Sequence, residues 1–109
     1  MNNLRGEFTF DINGKKYEAC ITLNALRLMC QAHNVKLEEL DKFMQEDSMT
    51  AICAMTYYGI KNAFARKGKD GKLMGFDQFC ALVLDDGDTF ESMASAVMTT
   101  LNPEDEGNA

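Results

Sequence analysis

The residues of this 109-residue chain best placed to do chemistry lie between Arg66 and Asp77. The run Lys69-Asp70-Gly71-Lys72-Leu73-Met74-Gly75-Phe76-Asp77 imitates the second half of a calcium-binding loop between two helices. With Gly71 at the loop's glycine position, Asp70 and Asp77 fall where carboxylate oxygens would coordinate the ion, but Arg66 and Gly68 occupy the two earlier ligand positions. A guanidinium in place of a ligand opposes a bound cation, so calcium is not expected there. The four cysteines, Cys20, Cys30, Cys53 and Cys80, are widely spaced with no Cys-x-x-Cys pair, and read as free thiols rather than a metal site or a disulfide framework. His33, the one histidine, stands beside a helix end with no Ser or Cys nucleophile placed by a motif, and reads as a solvated neighbour of the cap. There is no phosphate-binding loop and no paired-carboxylate site. Catalytic, cofactor-binding and metal residues are therefore none, and an enzyme is not indicated.

A second tempting site is Asp47-Ser48-Met49, which opens a helix in a small acidic protein. It is similar to the Asp-Ser-Leu site at which acyl carrier proteins receive phosphopantetheine. Those carriers are four-helix bundles without an N-terminal hairpin, and Ser after acidic residues is also what an ordinary helix start contains. A small acidic helical carrier, or a degenerate calcium-loop module that binds an ion or ligand, stands as the alternative class of function.

The elements that would position these residues are legible from the N-terminus onward. Phe8-Thr9-Phe10-Asp11-Ile12 and Lys15-Lys16-Tyr17-Glu18-Ala19-Cys20-Ile21 flank Asn13-Gly14, the strongest short signal for a two-residue type I′ hairpin turn. Centred there, the register sets Phe10 opposite Tyr17, Phe8 opposite Ala19 and Asp11 opposite Lys16, giving one apolar and one charged face. An isolated hairpin is marginal in water, so Phe8, Phe10 and Tyr17 must lie on the helices that follow.

Helical periodicity then predicts five helices. Thr22 caps the first, over Leu23 to His33, with Leu23, Leu26, Met29 and Cys30 on one face and Asn34 ending it. Leu37 to Met44 is a short second helix with Leu37, Leu40, Phe43 and Met44 on one side. Ser48 caps the longest, Met49 to Lys67, which is apolar nearly all round in its middle and is stopped by Gly68; Gly59 within it is placed to let another element approach closely. Phe76, Phe79, Cys80 and Val83 make a short fourth helix face. Asp88 caps a fifth helix, Thr89 to Leu101, with Phe90, Met93, Ala94, Val97, Met98 and Leu101 as its stripe. The fold class is α+β and mostly helical: a two-stranded hairpin packed on about five helices in one domain over 6–101, between a flexible 1–5 and a disordered acidic tail, 102–109.

Composition narrows the partners. A net charge of −6 argues against nucleic acid, and the cluster Arg66, Lys67, Lys69 and Lys72 complements a helix C-terminus rather than forming a binding patch. No apolar run approaches the length of a membrane span and no export signal opens the chain, so a cytosolic protein with no membrane partner is expected. Eight methionines at helical spacing read mainly as core filler, with Met93 and Met98 as the exceptions.

Taken in order, Phe10-Asp11-Ile12-Asn13-Gly14-Lys15-Lys16-Tyr17, Ile21-Thr22-Leu23, Val35-Lys36-Leu37-Glu38-Glu39-Leu40, Tyr57-Tyr58-Gly59-Ile60-Lys61 and Phe76-Asp77-Gln78-Phe79 resemble the small tail assembly chaperones of long-tailed bacteriophages, in their short, non-frameshifted form. The resemblance runs from Phe8 to Leu101. It implies a non-enzymatic protein that coats the long, helical, aggregation-prone tape measure protein and helps tail tube subunits polymerise around it. It also implies the host cytoplasm as location, absence from the mature virion and, in many members, a longer frameshifted product; self-association is compatible with the role. A holding protein of this kind needs an apolar groove for amphipathic helices and net charge for solubility. Leu40, Phe43 and Met44, with Met93, Val97 and Met98, are the candidate partner-binding residues.

Overall fold

A computed structural model describes residues 7–68 and 72–101. The assigned ends, 1–5 and 102–109, lie outside the described residues, as do Gly6, residues 69–71 of the calcium-like loop and the side chain of Leu101. The architecture is α+β and mostly helical. Strands β1 (Glu7–Ile12) and β2 (Lys15–Cys20) form an antiparallel pair in the expected register, with Phe10 opposite Tyr17, Phe8 opposite Ala19 and Asp11 opposite Lys16. The turn is decided by backbone sterics: Asn13 (φ 52°) and Gly14 (φ 81°) both take the left-handed conformation that a type I′ turn requires.

The hairpin's apolar face is seated on the helical body. Phe10, Ile12 and Ala19 are buried, while Phe8 and Tyr17 are half-buried at its margin, and their rings flank Phe10 at 5.9 and 6.1 Å. β2 lies on the long helix α3 (Ser48–Arg66), and β1 lies on the last helix, α5 (Gly87–Leu101). Where β2 crosses α3, a Cβ built on Gly59 would stand 3.0 Å from Ile21 Cγ1, 3.4 Å from Ala19 Cβ and 3.5 Å from the Cys20 amide nitrogen. The missing side chain of glycine lets the chain pass this closely without displacing Ile21.

Asn62, one turn along from Gly59, ties the same crossing together. It is buried; its Nδ2 donates to the Cys20 carbonyl (2.9 Å) and to Thr22 Oγ1 (3.0 Å), and its Oδ1 accepts from Asn24 Nδ2 (2.9 Å). Thr22 does precede α1 (Leu23–His33) in extended conformation, but it makes no side-chain cap bond; its hydroxyl is occupied by Asn62 instead. Asn34 ends α1 in the left-handed conformation (φ 57°), as expected. The buried stripe of α1 is Ala25 and Met29, flanked by Leu26 and Cys30. Leu23 is exposed, because two residues of helix turn it about 200° away from Ala25.

The remaining boundaries shift slightly. Leu37–Glu39 form a 3-10 turn and α2 runs Leu40–Glu46, two residues past the expected end at Met44. Asp47 caps α3 by accepting the Thr50 N–H (3.4 Å), so Ser48 is the helix's first residue and not its cap. Similarly α5 begins at Gly87. Asp86, two residues ahead of the expected cap Asp88, accepts from the amides of Asp88 (3.2 Å) and Thr89 (3.4 Å) and from the Thr89 hydroxyl (3.0 Å). Helix α4 (Phe76–Leu84) buries Phe79 and Val83. One core joins the hairpin and helices, centred on α3, whose buried residues run from Ala51 to Ala63.

Candidate protein-binding surface

Of the six candidate partner-binding residues, the structure separates two from the rest. Met93 and Val97 are both 0% exposed, since α5 packs that side on β1, α3 and α4. They belong to the core and offer nothing to a partner in this conformation, which corrects the expectation for both and for Met93 as an exception among the methionines. Met98, one residue and about 100° further round the helix, is 44% exposed.

Leu40, Phe43 and Met44 all lie on α2, a helix with no buried residue. The three side chains are half-buried against α3 and pack on the edge of the core. Phe43 abuts the His33 ring (centroids 6.2 Å), which in turn meets Tyr58 edge-on (5.9 Å) and Phe76 edge-on (4.9 Å). His33 is therefore a packing residue that joins the end of α1 to α2, α3 and α4, and not the solvated cap neighbour that the sequence suggested. Its Nε2 is buried with no hydrogen-bond partner among the described residues, and burial lowers its pKa from the usual 6.5, which favours the neutral ring. Tyr57 completes the aromatic group, donating its hydroxyl proton to the Met74 carbonyl (2.6 Å).

Around α2 stand apolar side chains that sequence reasoning did not single out as binding residues. Leu37 is 60% exposed and Met49 is 56% exposed, one at each end of the segment that contains α2. The sequence sets Leu37 on one side of a regular helix with Leu40, Phe43 and Met44; in the structure it opens a 3-10 turn and is exposed while those three are half-buried. Met49 follows a helix start and resembles any other methionine in sequence, so only burial distinguishes it from Met29 or Met55, which are core.

The chemistry-bearing residues fall elsewhere. Cys53 and Cys80 face each other across α3 and α4; burial foremost, then the neighbouring Cys80 thiol and Asp47, pushes the Cys53 pKa up to about 12, which keeps it a protonated, unreactive thiol. Cys20, Cys30, Cys53 and Cys80 are all free. Between the hairpin and the end of α3 lies a cleft of about 430 Å³ that contains Cys20 and is bordered by the pairs Arg66–Glu7 (3.4 Å) and Lys67–Glu18. Arg66 and Lys67 thus brace the hairpin, a role beyond the helix-end complement expected of them. Ser48 is exposed in the first turn of α3, and Asp77 is exposed in the first turn of α4. Among the described residues no group of three or more His, Cys, Asp or Glu side chains could hold a metal ion, and no helix is long and apolar enough to cross a membrane. Comparison with known protein families, curated proteins and solved structures finds no match to this chain.

Proposed function

We propose that this chain is a small, non-enzymatic tail assembly chaperone of a long-tailed bacteriophage, which holds the tape measure protein in the host cytoplasm, promotes tail tube polymerisation around it and is left out of the finished virion. The observation that carries this reading is the crossing at Gly59. The Asn13-Gly14 hairpin and the Tyr57-Tyr58-Gly59-Ile60-Lys61 run, two motifs of the resemblance far apart in the chain, meet where Ala19 and Ile21 pass over the glycine. A motif order that also has a joint packing purpose supports kinship better than either motif alone.

The physical needs of a holding protein are met by α2 and its flanks. A long helical client exposes apolar stripes that aggregate, and a surface of half-buried and exposed apolar side chains can cover such a stripe reversibly. Leu37, Leu40, Phe43, Met44 and Met49 supply that surface here. The net charge of −6 on this chain favours solubility. Co-expression with the tape measure protein of the same phage tests the reading: the client should be insoluble alone and should stay soluble and co-purify with this chain. A client that stays insoluble with the wild-type chain, also in the presence of any frameshifted longer form, sinks the proposal.

A further inference from the structure

The chemistry of the partner can be read from the end of the molecule where α2 enters α3. Helices α3 and α4 run antiparallel: Tyr57 meets Phe76 (5.3 Å) and Cys53 meets Cys80, a step of four residues along each. The next turn brings Met49 and Leu84 to the same end, and both are exposed, at 56% and 39%. Asp47, between α2 and α3, stands two residues before Met49, so the α2–α3 junction is at this end too. Met49 and Leu84 thus form an exposed apolar patch at this end of the α3–α4 pair.

Its charge is one-sided. Between Lys42 and Lys61 and after Lys72 the chain carries no lysine or arginine, so both segments that build the patch bring only acids. Asp47 and Asp86 are committed to capping α3 and α5, while Glu46, Asp85 and Asp88 stand exposed beside Met49 and Leu84 in the sequence. A second copy of this chain would set acid against acid across such a face.

We infer that the Met49–Leu84 end docks an amphipathic helix whose apolar stripe is flanked by lysine or arginine. This deepens the proposed function by giving the client's bound segment a charge as well as an apolar face, and it rests on that reading for the client's biological identity only. Two synthetic helical peptides make the test, with the same leucine stripe and either lysine or glutamate flanks, titrated into the 109-residue chain by calorimetry and by amide chemical shifts. The lysine peptide should bind and shift residues 43–50 and 82–88, and the glutamate peptide should bind at least about tenfold more weakly. Raising salt from about 0.05 M to about 0.5 M should weaken the lysine peptide several-fold. Leu84→Glu should abolish binding with the melting temperature unchanged, and the double charge reversal Glu46→Lys with Asp85→Lys, which leaves every apolar side chain in place, should invert the preference between peptides. Equal binding of the two peptides, shifts centred elsewhere, or no binding of the lysine peptide overturns the inference. Peptide binding without rescue of the tape measure protein would instead reject the chaperone reading and leave this surface standing, and rescue without peptide binding would do the reverse.

Discussion

At the scale of single residues, three positions, Gly59, Asn62 and His33, hold the fold together in ways that can be measured. Gly59→Ala would gain helix propensity of about 1 kcal/mol, yet the new methyl meets Ile21 Cγ1 at 3.0 Å and Ala19 Cβ at 3.4 Å. Overpacking typically costs about 1–3 kcal/mol, so the variant should have a lower urea midpoint than the wild type. Asn62→Ala leaves the Cys20 carbonyl and the Asn24 amide without their partner and should lose about 1–3 kcal/mol by the same assay. His33 gives a pH signature. Its folded pKa lies below the unfolded value of 6.5 because burial disfavours the charged ring, so the unfolded chain binds the proton more readily. The stability it contributes is fully present above the unfolded value and is lost as pH falls below 6.5 toward the folded pKa. Denaturant titrations at about pH 7.5 and about pH 5.5 should show that loss in the wild type and a smaller one in His33→Gln.

At the scale of elements, the hairpin and the helices should unfold as one cooperative unit, because the hairpin's apolar face is closed by α3 and α5. Phe10→Ala should cost about 3–5 kcal/mol, and circular dichroism and intrinsic fluorescence should report a single coincident transition at lower denaturant. An unchanged midpoint would mean that the hairpin stands apart from the core. The α5 stripe behaves differently along its length. Val97→Asp places a charge in a fully buried site and should unfold the protein, whereas Met98→Asp, on the exposed side, should leave the melting temperature within a few degrees. The caps at Asp47 and Asp86 join this scale: each accepts amide protons that would otherwise be orphaned at a helix start, and Asp47→Ala should lower stability by about 0.5–2 kcal/mol.

At the scale of the whole molecule, the question is which surface remains for a partner after one core has taken its share. Leu37→Glu and Met49→Glu alter exposed side chains on either side of α2. In the co-expression assay both should keep the fold while lowering recovery of soluble tape measure protein several-fold, since each puts charge into an apolar contact. Loss of folding in either variant would assign it to packing and move the client surface elsewhere. Retention of full rescue in both would exclude α2 from the contact.

The amino-acid sequence by itself determined what depends on neighbours in the chain. Asn13-Gly14 fixes the turn and hence every cross-strand pair, because only one register follows from a two-residue type I′ loop, and the apolar period of 3.6 marks each helix wherever its stripe is long enough. Cap positions slipped by a residue or two at Asp47 and Asp86, since several adjacent polar residues could each supply the capping oxygen and local backbone geometry chose between them. The tertiary structure alone decided which apolar side chains face outward. An amphipathic stripe shows that a helix has an inner side but not how many neighbours cover it. Met93 and Val97 sit under β1, α3 and α4, whereas α2 touches the body along one side and leaves Leu40, Phe43 and Met44 at the margin. His33 and Asn62 were invisible for the same reason: their roles come from residues brought together across the fold, and no spacing along the chain encodes those contacts.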